Sequence, residues 1–287
     1  MRVCLVDVDS KIPNLALMKI AAYHKAKGDS VKFYDPLFDR PDLVYAAKVF
    51  DFSPDYPYFP DCEVIKGGTG YNVKSALPAE IEEFSPDYSI YPNCDYSLQL
   101  FSRGCIRNCP FCIVREKEGF IRPIEPMQLN PKGSHIEVLD NNFFANPEWP
   151  KAIELIKNWR KPVSLHGVDV RLLNKEQCAA LNSIRHSKQI HIAWDNPKED
   201  LEPKLRQVIK WVKPYKLMCY VLIGYWSTPE EDLFRVEVLR RLGIDPFIMP
   251  FNKADQYQKD FSRYVNRKAI FKSVKWEDYK KISREAI

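Results

Sequence analysis

The chain has 287 residues, enough for one large domain or two small ones, and its net charge of +5 permits a polyanionic partner without demanding one. A hydrophobic share of 45% is that of an ordinary globular chain, and no uninterrupted apolar run approaches the roughly 20 residues of a membrane helix. Eight cysteines follow a start that enters an acidic, strand-like segment, not a signal peptide; this points to a cytoplasmic setting with thiols kept for metal binding and not for disulfides.

Residues 3–9 read as a buried parallel strand, a short apolar run ending in acids. Asn14 is placed to cap a helix whose Leu15, Leu17, Met18, Ala21, Ala22 and Ala26 fall near helical spacing, and Gly28 is placed to stop it. His24 is expected on the solvated side of that helix. Residues 31–34, 42–50 and 63–65 read as three more strands. The alternation predicts a small doubly wound α/β domain over residues 1–95, with Pro54, Pro57, Pro60, Pro78 and Pro86 marking long surface connections. Gly67, Gly68 and Gly70 lack the spacing of a dinucleotide loop or a P-loop and read as a tight strand-to-loop turn.

From Tyr96 onward, strands are expected at 98–101, 135–139, 162–166, 189–194, 217–223 and 245–250. Helices are expected near 147–160 and 198–213, and a third opens at Thr228 with Pro229 in its first turn and Glu231 three residues on. Six strands alternating with helices argue for a parallel barrel over residues 96–252, with polar residues gathered at the strand C-terminal ends. Residues 253–287 read as a C-terminal helical extension. Phe261, Tyr264, Val265, Ile270 and Phe271 make its apolar stripe, and Arg263, Arg267, Lys268 and Lys272 lie between them. That pattern suits a docked helix with a basic face, and its interleaved bases and aromatics also suit a nucleic-acid or acidic partner.

The segment from Ser102 to Cys112 carries Cys105, Cys109 and Cys112 as C-x3-C-x2-C, in a polar loop marked by Gly104 and Pro110. Such spacing can turn three thiolates toward one point, and soft thiolates suit iron–sulfur clusters or zinc. A structural zinc site is closed by four ligands, yet there is no second CxxC and no His between residues 25 and 134. With Phe111 directly before the third cysteine and an apolar strand before the loop, the motif resembles the signature of the radical S-adenosylmethionine (radical SAM) superfamily.

That resemblance implies an open (β/α)6 partial TIM barrel. It implies a [4Fe–4S] cluster on Cys105, Cys109 and Cys112, whose fourth iron takes the amino and carboxylate groups of S-adenosyl-L-methionine. Reductive cleavage then yields a 5′-deoxyadenosyl radical, with the electron supplied by a flavodoxin- or ferredoxin-like donor. Phe111 is expected near the adenine. Asp140, Asn141 and Asn142 are expected to face the methionine amino group, although family members often carry Gly-Gly-Glu-like residues there. Asp169 and Arg171 suit the carboxylate, the ribose or substrate, and equally an ordinary loop ion pair; Asp195 is similar, and Gly224 suits close backbone approach to the adenine. His166 and His191 alternate within strands and read as core or rim histidines before ligands.

The first 95 residues resemble a degenerate cobalamin-binding-like (Rossmann-like) domain through the glycines at 67–70. The D-x-H-x-x-G loop that supplies an axial His in some such domains is absent, since Asp9 is followed by Ser10, Lys11, Ile12 and Pro13, which argues against cobalamin. Cys4, Cys62 and Cys94 match in number the auxiliary-cluster cysteines of methylthiotransferases, but their surroundings differ; Cys178 and Cys219 read as core thiols. The substrate is left open among a small molecule, a peptide and a nucleic acid, the last including methylthiotransferase-like chemistry. Two readings of another class are a non-catalytic iron–sulfur carrier or sensor and a structural zinc module.

Overall fold

Val3, Cys4, Leu5 and Val6 are all buried, as befits a strand covered on both faces. They form β1 (Arg2–Asp7), the inner strand of a parallel sheet in a computed structural model that describes residues 1–279. The chain divides into two units, Met1–Ile136 and a second beginning at Glu137.

In the first unit, Asn14 caps α1 (Leu15–Ala26) by accepting from the amides of Ala16 and Leu17. Gly28, at φ +85°, takes the left-handed conformation that ends the helix. β2 (Ser30–Phe33), β3 (Leu43–Ala47) and β4 (Glu63–Gly67) complete a sheet of order β2-β1-β3-β4, with every pair parallel. The doubly wound expectation needs correction. A helix links β1 to β2, but the connections from β2 to β3 and from β3 to β4 contain none among the described residues. Pro54, Pro57 and Pro60 crowd the second of these, and proline removes the amide a helix interior needs.

His24 also differs from expectation: it is buried, not solvated. Its Nδ1 lies 2.7 Å from Asp29 and its Nε2 3.1 Å from the Tyr45 hydroxyl, so both ring nitrogens are engaged. The unit continues with α2 (Ala79–Glu82), β5 (Tyr96–Gln99), β6 (Ser102–Arg103), α3 (Val114–Glu118) and β7 (Arg122–Pro123). The single strand expected at 98–101 is thus two: β5 stops at Gln99, and β6 pairs antiparallel with β7. β8 (His135–Val138) spans the division between the units.

The second unit alternates as the sequence predicts: α4 (Trp149–Trp159), β9 (Val163–Leu165), α5 (Lys175–Ser183), β10 (Ile190–Ala193), α6 (Glu202–Val208), β11 (Leu217–Ile223), α7 (Pro229–Leu242) and β12 (Asp245–Pro250). β10, β11 and β12 form a parallel ladder. The chain around β9 joins β10 only through the isolated bridges Val163–His186 and Val168–Ile192. The architecture is therefore mixed α/β with parallel sheets. Along β11, Cys219, Val221 and Ile223 are fully buried while Met218, Tyr220 and Leu222 are half-buried, so one face packs and the other stays partly open. α7 packs on β11 and β12, opened by the Thr228–Glu231 capping box and closed by Gly243 at φ +71°.

α8 (Gln256–Asn266) and α9 (Lys268–Ser273) bury Phe261, Tyr264, Val265 and Phe271, as a docked extension should. Lys268 and Lys272 pair with Asp245 at 2.7 and 3.2 Å, and Arg263 with Asp260 at 3.7 Å, while Arg267 is exposed. The end of the extension, 280–287, lies outside the described residues. Among the described residues no helix is long and apolar enough to cross a membrane.

One buried side chain ties the ends of β10 and β11 together. Arg235, 1% exposed, donates to the carbonyls of Trp194 (2.8 Å), Asp195 (3.2 Å) and Leu222 (3.0 Å), and to the Asp232 carboxylate (2.6 Å). Tyr257 of α8 donates to the second Asp232 oxygen at 3.0 Å. Removing the guanidinium leaves the buried Asp232 carboxylate without its counter-charge and takes a donor from each of three carbonyls, the costly way to break a buried pair. Arg235→Met is therefore expected to lower unfolding free energy by about 3–5 kcal/mol, read from urea titrations, although it keeps the apolar stem.

Candidate cysteine loop and strand-end site

The β6–β7 ribbon closes the base of the cysteine loop, pairing Ser102 with Pro123 and Arg103 with Arg122. Gly104 then turns at φ +82°, where a Cβ would stand 2.4 Å from the Phe120 carbonyl oxygen, so only glycine fits. The Cys105 amide donates to the Gly119 carbonyl at 3.3 Å, and Arg115 donates to the Cys105 carbonyl at 3.0 Å. The Cys112 amide donates to the Cys109 carbonyl at 3.0 Å, folding the second half of the motif into a turn. Cys105 and Cys109 are half-buried and Cys112 is exposed. The Arg107 amide donates to the Cys105 sulfur at 3.3 Å, a contact suited to a thiolate or a cluster ligand.

Glu118 holds this loop from the far side. Its carboxylate accepts from the Gly104 amide and from Arg103, each at 2.9 Å. Arg103 reaches Glu82 at 3.5 Å, and Glu82 also takes the buried Lys19 at 2.9 Å, so a chain of charges runs from α1 to the residue before Cys105. Next to Glu118, Lys117 hydrogen-bonds the Thr69 hydroxyl, and burial holds its pKa below the usual lysine value. The glycines around Thr69 therefore have a structural job: a Cβ on Gly68 would lie 2.4 Å from the Lys48 carbonyl oxygen. Glu118→Gln should loosen the loop at a cost of about 1–2 kcal/mol, since it weakens charge-assisted hydrogen bonds. A lower urea midpoint and faster alkylation of Cys105 would register it.

Phe111, in the same loop, is half-buried, and the expected site residues from Asp140 onward lie in the second unit, at or just past strand C-terminal ends. Asp140 and Asn142 follow β8 and are both 2% exposed. Asn142 Oδ1 has no hydrogen-bond partner among the described residues, an acceptor buried at a cost of roughly 1–3 kcal/mol unless a donor reaches it. Gly167 lets the loop after β9 press on the loop after β8: a Cβ there would meet the Asp140 carbonyl oxygen at 2.1 Å and Asn141 at 2.7 Å. Phe143 locks that approach by donating its amide to the Gly167 carbonyl at 2.8 Å.

Asp169 accepts from the Arg171 amide and side chain at 3.1 and 2.7 Å, and Arg171 also reaches Glu199 at 2.7 Å. The ion-pair alternative for these two residues is thus present in the fold. Asp195 accepts from the Leu222 amide at 3.2 Å, and burial raises its pKa above the usual aspartate value. Gly224 sits at φ +77°, with a hypothetical Cβ 2.1 Å from the Gln258 amide nitrogen, so its glycine is demanded by α8. Asp140, Asn141 and Asn142 are gathered with Gly167; Asp169 and Arg171 pair with Glu199, while Asp195 joins β11.

Among the described residues no three His, Cys, Asp or Glu side chains are gathered as ligands of one metal ion. The thiolates of a cubane cluster each hold a different iron, so they stand farther apart than ligands of a single ion. By donor chemistry the three thiols on one pinned loop fit such a cluster, and the Arg107 amide on the Cys105 sulfur favours it. Cobalamin fits poorly. In sheets of this order ligands lie where the strand order reverses, here at the ends of β1 and β3. Asp9 already accepts from the Val49 and Phe50 amides there, at 2.7 and 2.9 Å. Cys4 and Cys94 are buried and Cys62 half-buried; burial pushes the Cys4 thiol up to about 11 and raises Cys62, which favours neutral thiols. Cys178 and Cys219 are core thiols, as expected, the former pushed by burial to about 11.

Sequence reasoning missed Glu118 and Asp9, whose partners are remote in the chain, Arg235, whose carbonyl partners at Trp194 and Asp195 are remote although Asp232 is near, and a cluster built on Glu137. A scan against protein-family models matched none, and a search of curated proteins also found no match. The family resemblance therefore stands on the motif residues alone.

Proposed function

We propose that the chain is a radical SAM enzyme, acting in the cytoplasm on a substrate still open among small molecules, peptides and nucleic acids. The observation that carries this reading is the C-x3-C-x2-C loop itself: three thiols on a turn pinned by Gly104, Glu118 and the β6–β7 ribbon, with no fourth cysteine in register. Cys105, Cys109 and Cys112 would hold a [4Fe–4S] cluster with one iron open for S-adenosyl-L-methionine. When bound, that cluster supplies the electron for reductive cleavage to a hydrogen-abstracting 5′-deoxyadenosyl radical, and a flavodoxin- or ferredoxin-like donor re-reduces it.

The chain's own residues bind and exclude. Asn142 Oδ1, a buried acceptor with no partner among the described residues, suits a hydrogen-bond donor such as an ammonium group. Arg171 is engaged by Asp169 and Glu199, each at 2.7 Å, so a ligand carboxylate would take the place of Glu199. The strand–helix alternation of β5, β8, β9, β10, β11 and β12 along the chain supports an open (β/α)6 arrangement, and Asp9 bridging the ends of β1 and β3 supports a first unit that binds no corrinoid and serves as a platform. The Lys19–Glu82–Arg103–Glu118 chain gives that platform a use, since it ends at the residue before Cys105.

The test is anaerobic reconstitution with iron and sulfide, followed by reductant and S-adenosyl-L-methionine, with 5′-deoxyadenosine measured by chromatography. Product well above a Cys105→Ala, Cys109→Ala, Cys112→Ala control supports the reading. Stoichiometric zinc with no iron uptake would replace it with a structural metal module.

A further inference from the structure

One face of the second unit's strands carries polar side chains where a sheet core would be apolar. Glu137 of β8, Ser164 of β9, His166 just after it, His191 of β10 and Tyr220 of β11 meet there, opposite the fully buried Cys219, Val221 and Ile223. Burying such groups is unfavourable unless each is partnered, and here the partners are specific. Glu137 accepts from His166 Nε2 at 2.5 Å and from Lys188 Nζ at 2.7 Å, and the Ser164 hydroxyl adds to the set. Burial alone would raise the Glu137 pKa; the hydrogen bonds from His166 and Lys188 overcome it and hold the carboxyl down at about 2.

An ionised carboxylate only accepts, so His166 Nε2 must carry the hydrogen. Neutral His166 therefore presents the Nδ1 lone pair. Both ring hydrogen bonds of His166 among the described residues fall on Nε2, and the side chain is 35% exposed. The groups facing it are Glu137, Ser164, Lys188 and His191, with Tyr220 behind His191. His191 is held neutral down to about 4, chiefly by burial and also by His166, Lys188 and Lys268, so it adds no competing charge. The rings of His166, His191, Tyr220 and Phe247 follow one another at centroid distances of 5.3, 5.2 and 5.6 Å, inclined to one another at 50°, 63° and 87°, so faces and edges alternate in an aromatic lining.

We propose that His166, oriented by Glu137, is a proton-accepting catalytic residue for an aromatic ligand bearing a weakly acidic N–H or O–H group. The proton passes from that N–H or O–H to Nδ1, and its electron pair stays on the ligand nitrogen or oxygen. Glu137 remains ionised and accepts from Nε2–H throughout, so it is a positioning residue. No oxidant or reductant enters the step. The assignment goes beyond the radical reading and does not rest on it.

Two measurements on the full chain test it without turnover. Diethylpyrocarbonate acylation, located by mass spectrometry, should modify His166 at least about tenfold faster than buried His191, and Glu137→Gln should slow His166 about tenfold by removing a charge-assisted hydrogen bond. Glu137→Asp, which keeps the charge, should recover part of that rate and controls for a folding defect. Below its own pKa, 4-nitrophenol should gain nitrophenolate absorbance when wild-type protein is added and should not with His166→Asn. His166 labelling no faster than His191, a Glu137→Gln rate equal to wild type, or no His166-dependent absorbance gain would each overturn the proposal.

Discussion

Parallel strands all end at one edge, and there the backbone groups that no neighbouring strand reaches must find other partners. Both units meet this constraint with a single side chain. In the first, Asp9 accepts from the Val49 and Phe50 amides after β3. In the second, Arg235 collects carbonyls from the ends of β10 and β11 and is itself neutralised by Asp232. The consequences differ. In the first unit a carboxylate takes up amides at the point where the strand order reverses, whereas in the second a guanidinium takes up carbonyls.

The cysteine loop shows the same economy. Its conformation is set by Gly104, which no other residue could replace without striking the Phe120 carbonyl, and by Glu118, which spends one carboxylate on both the Gly104 amide and Arg103. Remote parts of the first unit contribute to the loop, because the glycine turn at Thr69 and the buried Lys19 both lead to the residues flanking the motif.

Much of this was legible in the sequence where the determinants are local. Asn14 and Thr228 cap the helices they were expected to cap, Gly28 ends α1, and the apolar runs at 217–223 and 245–250 became β11 and β12. The failures are non-local. His24 reads as solvated by helical position, but Tyr45 of β3 takes Nε2 and Asp29, just past the Gly28 turn, takes Nδ1. Arg235 sits among charged neighbours in α7 and looks like a surface residue; only the fold brings the strand-end carbonyls to it. The doubly wound expectation failed because strand alternation predicts crossovers but not their content, and prolines kept the one from β3 to β4 irregular. Of the candidate site, the three cysteines were evident from spacing, whereas the unpartnered oxygen of Asn142 and the Glu137–His166 dyad required coordinates.

The central claim is an iron–sulfur cluster with an open iron on Cys105, Cys109 and Cys112. Electron paramagnetic resonance of the anaerobically reconstituted, dithionite-reduced protein tests it most directly, recorded before and after S-adenosyl-L-methionine is added. The account predicts a reduced [4Fe–4S] signal whose shape changes on addition and which is absent when the three cysteines are alanine. A cluster signal indifferent to S-adenosyl-L-methionine, or one that survives loss of the three cysteines, would contradict it.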